Sequence, residues 1–124
     1  NIQTRTRSEP LFKKENSLEK RSTESTRILL KYKNRVPIII DVADSFKDQL
    51  KLDKKKYLVP SDLNVSQFLY VIRKRLALQP EHALFIFFNN TLPPTSQILG
   101  DLYKTEKDKD GFLYATVSLE SVFG

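Results

Sequence analysis

The stretch KKKYLVPSDLNVSQFLYVIRKRL, residues 54–76, decides how the chain is read. Lys54–Pro60 reads as a short strand, and its terminal proline and its charges suit a sheet edge by discouraging further pairing. Asn64, with Gln67 three positions on, has the spacing of a capping box that opens a helix. From there Val65, Phe68, Leu69, Ile72 and Leu76 fall on one side at about 100° per residue. Val71 projects about 120° from the centre of that stripe, an apolar residue the core does not require. Pro80 blocks continuation. The stretch is an edge strand, a tight turn and an amphipathic helix.

Working outward, Arg35–Val42 (RVPIIIDV) is a β-branched run whose continuous apolar character suggests a strand covered on both faces. Pro37 belongs near its beginning or on an unpaired side, and Lys54–Pro60 is expected to run antiparallel to it. Leu18–Lys33 reads as a helix with Ile28, Leu29 and Tyr32 on one face and basic residues toward its C-terminal end. Pro10–Glu15 suits one short helical turn, and Asn1–Arg7 is polar and frayed. Ala43–Lys51 is a polar connection. Downstream, Leu84–Phe88 is a third strand ended by Asn89, Asn90 and the Pro93–Pro94 turn. Thr95–Tyr103 is a short helix capped by Thr95 or Ser96. Lys104–Gly111 is a charged loop, and Phe112–Leu119 is the last strand. The order is α-α-β-β-α-β-α-β. A hairpin, a helix crossing one sheet face and two further strands make the α+β, ubiquitin-like β-grasp, a four-stranded mixed sheet here carrying two additional N-terminal helices. Residues 1–17 are expected to form a flexible extension with a short helix, and residues 18–124 the ubiquitin-like domain with its glycine tail.

Composition narrows the function. A chain of 124 residues, 40% hydrophobic and 29% charged, has room for one core. No apolar run approaches the roughly 20 residues of a membrane span. Cysteine is absent, which excludes disulfides, a thiol nucleophile and Cys-based metal sites, and fits a reducing compartment. The excess charge lies at the front: residues 1–35 hold ten Lys/Arg against four Asp/Glu, and residues 36–124 hold eleven of each. Basic segments meet nucleic acid, acidic partners or anionic membranes. No motif interleaves aromatics with this charge, so nucleic acid is not expected. His82, the lone histidine, cannot build a metal site or a triad. KDKDG at 107–111 lacks the ligand spacing of a calcium loop and reads as a solvated turn. Three glycines form no phosphate loop. No catalytic residue, metal ligand or cofactor is expected, and the chain does not read as an enzyme.

Six segments then carry a resemblance: KNRVPII (33–39), YLVPSDL (57–63), QFLYVIRKR (67–75), LFIF (84–87), TLPPT (91–95) and KDKDGFLY (107–114). In this order and spacing, from about Leu18 to Gly124, the chain resembles the autophagy ubiquitin-like modifiers, the family of the GABA-receptor-associated protein and the microtubule-associated light chain. The resemblance implies processing by a cysteine protease that also deconjugates, and activation by ATP-dependent E1-like and E2-like enzymes. It further implies conjugation through Gly124 to phosphatidylethanolamine. The modifier would be cytoplasmic, and on the autophagosome membrane once lipidated, where it recruits cargo receptors bearing an aromatic-x-x-aliphatic motif. A terminal glycine suits this chemistry because, lacking a side chain, it threads a narrow catalytic groove.

The same resemblance implies a docking surface. Glu24, Ile28, Pro37, Lys56, Leu58 and Phe112 would line a pocket for the motif's aromatic side chain. Tyr57, Val59, Pro60, Leu63, Phe68 and Val71 would line one for its aliphatic side chain. Between them the partner would add a strand along Lys56–Leu58. Lys54, Lys55 and Lys56, with Arg35 and Arg75 nearby, would attract flanking acidic residues and act more on encounter rate than on affinity. The plain alternative makes Phe68 and Phe112 core, the lysines a solvated edge and Val71 a tolerated surface residue. A second functional reading is a β-grasp module that docks peptides without being conjugated. The chain departs from the family where seven or so residues precede the usual start and one is inserted between Asp44 and Lys51. Leu18 also stands where members commonly carry Phe, and the first helix lacks their aromatic-rich beginning.

Overall fold

In the computed structural model, which describes residues 9–121, the elements follow the expected order. The helices are α1 (Leu11–Glu15), α2 (Leu18–Lys31), α3 (Val65–Leu76) and α4 (Leu99–Glu106). The strands are β1 (Arg35–Val42), β2 (Lys56–Pro60), β3 (Phe85–Phe88) and β4 (Leu113–Ser118). A short 3-10 turn, Asp44–Phe46, breaks the polar connection after β1. The sheet order is β2-β1-β4-β3, with β1 parallel to β4 and the other pairs antiparallel. The stretch Asn1–Arg7, expected to fray, and Gly124, expected to be the conjugation residue, lie outside the described residues.

Alternation along the strands separates two layers. Val36, Ile38, Ile40 and Val42 of β1 and Tyr57 and Val59 of β2 face the core, where Val65, Phe68 and Ile72 of α3 meet them. Leu69 and Leu76 of the expected stripe are half-buried against the same core. The capping box forms as read: the Asn64 side chain accepts from the Gln67 N–H at 2.9 Å, and the Asn64 N–H donates to Gln67 Oε1 at 2.9 Å. Such a cap contributes on the order of 1 kcal/mol to helix stability.

The second layer, on the other sheet face, is α1 and α2; Phe12 of α1 packs on Phe112, and α2 is docked by a buried polar network. The buried residues of α2 are Arg21 and Ser25. Arg21 Nη1 donates to Asp110 Oδ2 at 2.6 Å, Tyr114 donates its hydroxyl to the same oxygen at 2.5 Å, and the Phe112 N–H donates to Oδ1 at 2.8 Å. Ser25 donates to the Asp110 carbonyl. Burial and the Asp110 carboxylate together push the Tyr114 hydroxyl far above the ordinary tyrosine range. Gly111 turns the loop with φ of 93°, and a Cβ there would overlap the Ser25 hydroxyl. The KDKDG segment is therefore not a solvated turn: Asp110 is only 1% exposed. It binds the second layer to the sheet across 89 residues of sequence. Asp108 in the same loop pairs with Lys13 of α1 at 2.5 Å. Burial alone would raise the Asp108 carboxyl, but Lys13 and the Asp110 N–H outweigh it and hold it below its ordinary value.

One helix starts later than expected. α4 begins at Leu99, after an Ile98 that makes no side-chain cap, rather than at Thr95 or Ser96. The reason is tertiary. The carbonyls of Thr95 and Gln97 accept from Ser66 and Val65, while Leu99 and Gly100 donate back to Leu63 and Ser61. Backbone groups committed to the start of α3 are not available to a first helical turn at 95–98.

Candidate functional site

β2 is an outer strand, and its register fixes which backbone groups remain open. Ile40 donates to the Lys55 carbonyl at 2.8 Å and Ser61 to the Asn34 carbonyl at 2.9 Å, bracketing a register in which Val36 opposes Val59 and Ile38 opposes Tyr57. In an antiparallel ladder, hydrogen-bonded and non-bonded pairs alternate. Tyr57 and Val59 therefore turn their backbone groups to β1, and Lys56 and Leu58 turn theirs outward. Pro60 has no N–H to offer. The Leu58 carbonyl accepts from the exposed Arg35 guanidinium at 3.3 Å.

The same alternation distributes the candidate side chains. Lys56 and Leu58 project to the α2 face with Pro37, opposite the core-facing Tyr57 and Val59. On that face Glu24 and Ile28 of α2 stand half-buried and Phe112 is buried. Lys56 Nζ reaches Glu24 Oε2 at 2.9 Å, tying β2 to α2 across the group. On the α3 face Tyr57 meets Phe68 edge to face, with centroids 5.7 Å apart. Pro60 and Val71 are exposed and Leu63 is half-buried beside them. Phe68 is fully enclosed, so of Phe68 and Val71 it is Val71, at 42% exposure, that meets solvent. The Tyr57 hydroxyl is buried without a hydrogen-bond partner among the described residues, and burial pushes its pKa upward against the pull of Arg75.

The cationic rim is present and loosely engaged. Lys54 lies over the Tyr57 ring at 4.9 Å, Lys55 stands 3.6 Å from Asp41, and Arg75 stands 3.7 Å from Asp53. Pairs this exposed are worth about 0–1 kcal/mol, so a partner's carboxylates can replace the internal ones at little cost. Sequence reasoning brought these residues to one edge but missed Phe12, whose ring packs edge-on against Phe112 with centroids 5.2 Å apart. A single aromatic in a five-residue helix carries no periodic signal that would have marked it. Among the described residues no group of His, Cys, Asp and Glu could hold a metal ion, and no helix is long and apolar enough to cross a membrane.

The chain as a whole is similar to known proteins. The family model for autophagy protein Atg8, ubiquitin-like, matches residues 20–124. Autophagy-related protein 8 of Vanderwaltozyma polyspora is 57% identical over 113 residues, covering 91% of this chain and 95% of the relative. Autophagy-related protein 8A of Oryza sativa subsp. indica is 54% identical, covering 91% and 94%. The crystal structure of Trypanosoma brucei ATG8 superposes with a TM-score of 0.83 at 38% identity, covering 94% of this chain and all of that one.

Proposed function

The chain belongs to the Atg8 family of autophagy ubiquitin-like proteins, and on that premise we propose that it is a lipid-conjugated modifier that docks receptor peptides on β2. In this reading E1-like and E2-like enzymes, with ATP, join the Gly124 carboxyl to the amine of phosphatidylethanolamine. A cysteine protease prepares and reverses the conjugate. The protein moves from the cytoplasm to the autophagosome membrane, and the lipid supplies the anchor that no described helix provides. There it recruits cargo receptors through aromatic-x-x-aliphatic motifs.

The observation that carries the docking half is the open edge of β2. An extended peptide meets the outward groups of Lys56 and Leu58, and its side chains, alternating as in any strand, fall to the two sheet faces. The aromatic residue goes to the group of Glu24, Ile28, Pro37, Lys56, Leu58 and Phe112. The aliphatic residue goes to that of Tyr57, Val59, Pro60, Leu63, Phe68 and Val71. Phe112 and Phe68 act there as floors beneath more exposed neighbours. Lys54, Lys55 and Arg75 steer acidic flanks toward the edge, in keeping with the weak internal pairs they hold.

The conjugation half is tested by reconstitution. With the cognate E1-like and E2-like enzymes, ATP and liposomes containing phosphatidylethanolamine, the protein is expected to acquire a lipid and float with the vesicles. Full enzyme competence on a related modifier with no product from this chain would refute the reading.

A further inference from the structure

One side chain outside the pocket residues already named touches two of them. Phe12 of α1 sets its ring edge-on against Phe112 at an interplanar angle of 79°. The Lys56 ammonium lies 4.7 Å from the centre of the same ring while it binds Glu24 at 2.9 Å. Resting on the docking reading above, we propose that Phe12 is a specificity-determining wall of the aromatic pocket, favouring a large aromatic side chain in the partner over an aliphatic one.

The argument follows from how Lys56 is held. Its stem forms the rim of the pocket, and a long flexible side chain defines a rim only when its head is fixed. Two groups from two helices fix it here, the Glu24 carboxylate and the face of Phe12. Phe112, the floor, takes its edge contact from Phe12 as well. Without that ring, Lys56 retains one anchor and Phe112 loses a neighbour. A slot of ring thickness must then be ordered at the moment of binding, which lowers affinity for the side chain that fills it. An aliphatic residue that does not fill the slot loses less.

α1 is a suitable carrier for such a wall. It buries no residue of its own in the core and stays in place through Phe12 and through Lys13, which pairs with Asp108 and lies 4.8 Å over the Tyr114 ring. The wall therefore sits on an element that contributes no buried residue to the core.

Calorimetric titration with two peptides tests this, one bearing Trp at the aromatic position of the motif and one bearing Leu there. Phe12→Ala is expected to weaken the Trp peptide about fivefold, the scale of ordering one freed long side chain at the moment of binding. The Leu peptide should weaken by less than about twofold, and Phe12→Tyr should restore Trp binding. If the alanine variant unfolds, Phe12→Leu gives the same comparison with apolar volume kept, and the same Trp-selective loss is expected. Equal weakening of both peptides, or no change in either, with normal binding by the unaltered chain, would overturn the proposal while leaving the docking reading intact. No binding of either peptide by the unaltered chain would sink both.

Discussion

Asp110→Ala is expected to cost about 3–5 kcal/mol of folding stability, because it leaves the buried Arg21 guanidinium without its carboxylate. Asp110 is 1% exposed and its side chain also satisfies the Phe112 N–H and the Tyr114 hydroxyl, so three donors lose their acceptor together. For a chain of this size the thermal midpoint should fall by roughly 12–19 °C. Asp110→Asn, which keeps the shape and some of the acceptors, should lose less. The consequence extends beyond stability, since Asp110 accepts from the backbone N–H of Phe112, the floor of the proposed pocket. Urea unfolding is the measurement, and a loss below about 1 kcal/mol would show that the network is incidental to the docking of α2.

Deletion of Gly124 is the second large effect. In the reconstituted conjugation reaction it is expected to reduce the lipid product to nothing, because the penultimate Phe123 presents a bulky side chain to a groove shaped for glycine. The same variant should bind aromatic-x-x-aliphatic peptides as the unaltered chain does, since Lys56–Pro60 is held in the sheet by its pairing with β1. Loss of the conjugate with retained docking separates the two halves of the proposed function. It also distinguishes this modifier from a docking module that is never conjugated, for which the unaltered chain would give no product either.

How far the sequence carried these conclusions depended on range. The capping box at Asn64 and Gln67, the stripe that buries Val65, Phe68 and Ile72, and the off-stripe Val71 are local patterns, and all were legible. So was the edge position of β2, announced by Lys54–Lys56 and Pro60. Three features were not. Asp110 sits in a run of alternating charge that looks solvated until Arg21 arrives from 89 residues away. Thr95 looks like a helix cap until its carbonyl is taken by Ser66. Phe12 gains meaning only from Lys56 and Phe112, which the fold brings to it from 44 and 100 residues downstream. In each case a long-range hydrogen bond or ring contact overrode a short-range propensity. The pocket residues were named from family resemblance, and periodicity alone would have left Phe68 and Phe112 as ordinary core.

The central claim is that β2 receives a partner strand, and backbone hydrogen exchange read by NMR tests it residue by residue. On titration with an aromatic-x-x-aliphatic peptide, the Lys56 and Leu58 amides should shift and become protected, because their outward N–H groups gain acceptors. The Tyr57 and Val59 amides, already bonded to β1, should be protected before and after. A peptide that binds while Lys56 and Leu58 continue to exchange freely would contradict the account.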